Sequence, residues 1–136
     1  MYNDNGDDME LVLDELIHGD LWDYDLFLIM VNQQEVGRIV FRRASATLVS
    51  ISGHVGYHVE SEYRGHGYAY QALKLLMKHI AGLGYESIII TCDPLNIPSK
   101  KTIEKFKVLQ HEIIDICSKE YPMQNQMAIY EIEVEK

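Results

Sequence analysis

The run Tyr63-Arg64-Gly65-His66-Gly67-Tyr68-Ala69 limits what this chain can fold into more than any other stretch. Two glycines one residue apart stand between an extended segment ending near Val59 and a strongly helical one beginning near Tyr68. A strand that turns through glycine into a helix is the first half of a right-handed crossover. The turn has chemical consequences too. The first N–H groups of a helix have no intrahelical acceptors, and the helix dipole adds partial positive charge there. Glycine lets an anion come close to the backbone, so the turn suits a phosphate or pyrophosphate. Short glycine motifs also recur by chance, and a strand–helix turn that binds nothing looks the same in isolation.

The flanks narrow the choice. Val55-Gly56-Tyr57-His58-Val59 precedes the turn, and Gln71-Ala72-Leu73-Lys74-Leu75-Leu76-Met77 follows it. A second strand-like segment, 87–92, leads to Asn96-Ile97-Pro98-Ser99, which opens another helix. This succession closely resembles the GNAT superfamily of N-acetyltransferases, whose Arg/Gln-x-x-Gly-x-Gly/Ala loop cradles the pyrophosphate of acetyl-CoA. Residues 64–69 match that loop, and the Asn-x-x-Ser element at 96–99 looks like the superfamily's second motif. The two motifs together cover residues 51–108. The pattern looks closest to the branch that includes ribosomal-protein and polyamine acetylators, although the branch does not fix the substrate.

The resemblance implies a site. Backbone groups of Gly65, His66, Gly67, Tyr68 and Ala69 would hold the pyrophosphate, with Arg64 beside the same phosphates. Tyr57, His58 and Val59 would pair with the pantetheine arm like an added strand, and backbone amides there would polarise the thioester carbonyl. Asn96 would hydrogen-bond that arm, with Ser99 close by. Either residue also suits a simple helix cap. The superfamily often carries a proton-donating tyrosine seven residues after the asparagine. Here that position is Ile103, and the Gly-Phe pair that often ends the motif is replaced by Lys107 and Val108. Where the family often places an acidic base, this chain offers His54, with His58 on the same strand face. An imidazole suits proton removal from an ammonium through water. A strand histidine also serves as a structural residue, so both readings stand for each. The two histidines have no spaced partners to complete a metal set, and no metal is expected.

Charge and composition bound the rest. At 136 residues the chain reads as one domain, 9–136, after a solvated tail at 1–8. A formal net charge of −9 argues against nucleic acid and favours a cationic acceptor through steering. Basic residues gather locally instead: Lys100, Lys101, Lys105 and Lys107 in the second motif's helix, and Arg38, Arg42 and Arg43 in one hairpin arm. That suits an anionic cofactor, or forms a solvated face. Apolar runs such as 26–31 are too short to span a bilayer, and no leader pattern opens the chain. Cys92 and Cys117 read as reduced and core-packed, which fits a cytoplasmic location.

Along the chain, alternation predicts strands over 9–17, 26–31, 36–43, 47–52, 54–59, 87–92, 111–118 and 127–134. Helical spacing of Tyr68, Ala72, Leu75, Leu76, His79 and Ile80 predicts a helix over 68–83, stopped by Gly82 and Gly84. A second helix is predicted over 97–108, with Pro98 in its first turn. The fold expected is α/β, a GNAT-like mixed sheet of about seven strands with helices on both faces. About a dozen residues separate Leu13 from Leu26, where the family commonly places two helices, so the N-terminal helices are expected to be shortened. The function implied is transfer of acetyl from acetyl-CoA to a primary amine of a small molecule or peptide. The alternative is a module or sensor that binds acyl-CoA without turnover. A homodimer through Ile113, Ile114, Ile116 and Ile129 is compatible with the pattern, as is core packing of the same residues.

Overall fold

The computed structural model describes residues 8–49, 52–116 and 125–135. Its first half is an antiparallel meander of four strands, β1 (Met9–His18), β2 (Asp23–Val31), β3 (Gln34–Arg43) and β4 (Val55–Val59), paired in that order. Helix α1 (Tyr68–Gly82) then leads to β5 (Ser87–Cys92), and α2 (Ile97–Ile103) leads to β6 (Val108–Asp115). The last strand, β7 (Gln126–Glu133), inserts antiparallel between β5 and β6. Seven strands thus form two sheets of four and three.

Local sequence explains most of these elements. The β2–β3 turn places Asn32 and Gln33 at φ of 50° and 69°, the left-handed pair that a tight hairpin demands and that asparagine tolerates. In β2 the alternation is strict. Asp25, Phe27, Ile29 and Val31 are buried, while Leu26, Leu28 and Met30 on the other face are half-buried. Helix α1 buries Ala72, Leu73, Leu76, Met77 and Ile80 against the same inner face. The buried stripe is therefore turned slightly from the one the spacing predicts, with Leu75 and His79 at its edge.

Asp25 is a carboxylate inside this core, 1% exposed. Burying a charge is costly unless it is paired. Arg43 Nη2 lies 3.0 Å away and His79 Nε2 2.8 Å away, both on Asp25 Oδ2, so the carboxylate ties β2, β3 and the last turn of α1 together.

Several predicted element boundaries are corrected. The strand expected over 47–52 is a turn from Ala46 to Val49. Ser45 organises it, its carbonyl accepting from the N–H groups of Leu48 and Val49, which removes those groups from any ladder. Residues 50 and 51 lie outside the described residues. Helix α2 ends at Ile103 rather than at 108, because Phe106 turns into the core and Val108 is taken into β6 opposite Ile132. Strand β6 begins correspondingly early, and the predicted end at 118, with Cys117, lies outside the described residues. Asp8, grouped with the tail at 1–8, is bound to Asn32, whose N–H donates to the Asp8 carbonyl at 2.7 Å; the remainder of that tail is outside the described residues.

Both helices share one core with the inner faces of both sheets. Among the described residues no helix covers the opposite face, since only Gly19 to Trp22 bridge β1 and β2, closed by the Gly19 N–H on the Trp22 carbonyl. Among the described residues no helix is long and apolar enough to cross a membrane.

Candidate functional site

The site sits where the two sheets part. Strand β4 runs beside β5, yet no ladder joins them among the described residues. They touch at one end only. The His54 N–H donates to the Ile89 carbonyl at 2.7 Å, and the Ile89 N–H returns to His54 Nδ1 at 2.9 Å. His54 Nε2 donates to the Ala44 carbonyl at 2.9 Å. With both ring nitrogens engaged and the residue 2% exposed, His54 staples three segments. Burial lowers its pKa below the ordinary 6.5, and the charge of Arg42 lowers it further against the opposing Ala44 bond. His54, a candidate base from sequence, is not among the residues lining the cleft, and its ring is committed to backbone.

Beyond His54 the strands splay. Pairing with β3 uses the carbonyl of His54, which accepts from Arg42, and the N–H of Glu60, which donates to Val36. Antiparallel alternation therefore directs the backbone of Tyr57 and Val59 toward β5, across the gap. The gap widens into a cleft of about 550 Å³. Its walls are β4, the glycine turn, the first turn of α1, and α2 with Lys105 just beyond it.

The glycine turn has the geometry its sequence implies. Gly65 and Gly67 hold φ of 88° and 75°, and Gly67 is the N-cap of α1 with no side chain to cap it. A Cβ built on either glycine meets nothing within 4 Å, so packing does not require glycine there. The positive φ does. Arg64 donates from Nε to the Val59 carbonyl at 2.9 Å, which fastens the turn to the end of β4.

Opposite stands α2. Asn96 is its N-cap, with Oδ1 accepting from the Ser99 N–H at 3.3 Å. Ser99 Oγ lies 2.8 Å from Tyr57 Oη, a hydrogen bond across the cleft. Burial raises the Tyr57 pKa, the Ser99 bond opposes that, and the neighbouring Cys92 adds to it. Cys92 itself, at the end of β5, is pushed up to about 11 by burial.

Of the residues the sequence assigns to the cofactor, Tyr57, His58, Val59, Arg64, Gly65, Gly67, Tyr68, Ala69, Asn96 and Ser99 line this one cleft. His66 does not; its ring stacks on Tyr68 with centroids 5.2 Å apart. His58 is exposed, with Nε2 3.7 Å from Glu60 Oε1. Sequence reasoning missed Tyr70, and it placed Lys105 only within a basic cluster that suits an anionic cofactor. The ammonium of Lys105 sits 4.6 Å from the Tyr70 ring centre, and both line the cleft near the glycine turn. The lysine-rich helix was a visible signal; the aromatic partner on α1 was not. Among the described residues no group of three metal-ligating side chains is found.

A family model described as an acetyltransferase (GNAT) domain matches residues 8–108. The chain belongs to this family. Solved structures share the fold. The microcin C7 self-immunity acetyltransferase MccE, in complex with acetyl-CoA and AMP, superposes with a TM-score of 0.64 at 15% identity, covering 82% of this chain and 61% of that one. RimL, a ribosomal L7/L12 α-N-protein acetyltransferase in complex with coenzyme A, gives 0.63 at 18%, covering 82% and 62%. A GNAT-family acetyltransferase from Bacillus anthracis gives 0.63 at 24%, covering 82% and 67%. This chain thus spans a little over three fifths of the length of the first two. No curated protein matches it in sequence.

Proposed function

We propose that this GNAT domain is an acetyl-CoA-dependent N-acetyltransferase that acetylates a primary amine of a small molecule or protein. One observation carries the reading: the glycine turn, the backbone of β4 and the start of α2 converge on a single cleft at the parting of the sheets. Family membership and the acetyl-CoA and CoA complexes of MccE and RimL support it. The cleft provides what an acylated nucleotide thioester needs. Anion-favouring N–H groups stand at one end, and strand-like backbone at Tyr57 and Val59 can pair with an extended arm.

Acetyl transfer then proceeds by positioning. Holding thioester and amine together supplies several kcal/mol of the barrier reduction. Backbone N–H groups along β4 polarise the thioester carbonyl. We assign removal of the ammonium proton to His58, exposed beside Glu60, and assign His54 to holding the sheets.

We assign the acceptor to a cationic class. A second hollow, of about 450 Å³, is lined by Ile89 of β5 together with Glu112 and Glu131. With the net charge of −9, these carboxylates suit a cationic amine. We also propose action in the cytoplasm, the compartment the sequence reading implies.

Thiol release from acetyl-CoA, measured against a panel of polyamines, aminoglycosides and peptides with free amino termini, tests the reading. Turnover with at least one amine is expected. Tight CoA binding with no turnover would instead support the non-catalytic sensor. The absence of Tyr at position 103 favours that second reading.

A further inference from the structure

Ile103 is fully buried and carries no proton, so any proton donor for the leaving thiolate must stand elsewhere. The cleft lining includes four phenols. Three belong to the glycine-turn end: Tyr63 accepts a hydrogen bond from Gln34, Tyr68 stacks on His66, and Tyr70 lies under Lys74 and Lys105. The fourth, Tyr57, stands nearer the closed end of the gap, against the first turn of α2. Outside the cleft, Tyr130 is buried and donates to Glu104.

We infer that Tyr57 protonates the departing CoA thiolate, with Ser99 as its positioning residue, an inference that rests on the cofactor reading above. An extended arm held at Gly65 and Gly67 and paired along β4 would carry its sulfur end toward Tyr57, which lines the same cleft. Ser99 is fixed by the cap bond from its N–H to Asn96 Oδ1, which places its hydroxyl 2.8 Å from the phenol. When Ser99 O–H donates to Tyr57 Oη, the single phenolic proton is left to donate elsewhere. Burial favours the neutral phenol, so the proton is present at neutral pH.

The step balances. The neutral amine's lone pair forms the C–N bond to the thioester carbon. The tetrahedral species collapses with cleavage of C–S, and the bonding pair leaves on sulfur. The Tyr57 proton moves to sulfur, giving the CoA thiol. The nitrogen's surplus proton passes to solvent through the base, and the phenolate regains a proton from solvent through Ser99. Amine and thioester thereby become amide and thiol.

The test uses CoA itself, bound to the full chain, and needs no acceptor. Calorimetry at neutral pH measures its affinity. The ultraviolet absorbance of the thiolate, followed against pH, measures where the bound thiol titrates. A phenol that donates to sulfur stabilises the thiolate, so the thiol should titrate about one pH unit lower in wild type than in Tyr57→Phe. Affinities at neutral pH should agree within about threefold, since the neutral thiol gains little from that bond. Ser99→Ala should fall between the two, and it reads the same effect if Tyr57→Phe fails to fold. Equal titration in wild type and variants, with CoA still bound, overturns the proton-donor assignment alone. No CoA binding by wild type overturns the cofactor reading and this inference together.

Discussion

The two ends of the gap between β4 and β5 solve one problem in opposite ways. A strand edge carries polar backbone groups that need partners. At the closed end the chain supplies them: His54 and Ile89 exchange bonds, and the imidazole reaches on to Ala44. At the open end, three residues along, the edge at Tyr57 faces a cleft. The closed end is buried and its polar groups are paired, so it holds the sheets at a fixed separation. The open end is where an extended ligand can complete the sheet. Rigidity at one end makes the spacing at the other reproducible, and a ligand site depends on that.

The comparison breaks most sharply at the glycine turn. Gly67→Val forces a β-branched residue into φ of 75° and places methyl groups where a phosphate would lie. Acetyl-CoA affinity by calorimetry should fall about 100-fold, roughly 2.7 kcal/mol.

At the closed end the loss should be in stability. His54→Leu removes both ring bonds and orphans the Ile89 N–H and the Ala44 carbonyl. Chemical denaturation should show a loss of about 2 kcal/mol. Acetyl-CoA affinity of the folded fraction should change far less than in Gly67→Val.

Asn96 belongs to both regimes. Asn96→Ala removes the cap on Ser99, which costs about 1 kcal/mol in denaturant melts. If Asn96 also touches the pantetheine arm, affinity for acetyl-CoA should fall several-fold as well.

The smallest effect is in pH. The folded pKa of His54 is lowered below 6.5, so the unfolded chain takes the proton more readily. Its contribution is present above that pH and is lost as pH falls through the folded value. Melting temperature should decline between neutral and mildly acidic pH, and His54→Leu should lose that part of the slope.

How much of this was legible in the sequence follows from the range of the interactions involved. The turn and both helix starts were readable because their determinants, Gly65, Gly67, Asn96 and Pro98, act within a few residues. The roles of His54 and Tyr57 were not. Their partners lie 35 and 42 residues away, at Ile89 and Ser99, and no local pattern marks such pairs. The buried Asp25 was hidden for the same reason, since Arg43 and His79 meet it only in the fold. The described part of the strand expected over 47–52 shows the limit of propensity: β-branched Thr47 and Val49 favour a strand, yet bonding to Ser45 made 46–49 a turn. Helix α2 was overextended because Val108 joins Ile132 across a sheet that the local sequence does not show.

Amide hydrogen exchange, with and without acetyl-CoA, tests the contrast most directly. The account predicts that His54 and Ile89 amides are protected in both states. Those of Tyr57 and Val59 and of the turn from Gly65 to Ala69 should become at least about tenfold more protected when cofactor binds. Saturating acetyl-CoA that leaves β4 and the turn unchanged, or protects a different surface, would contradict it.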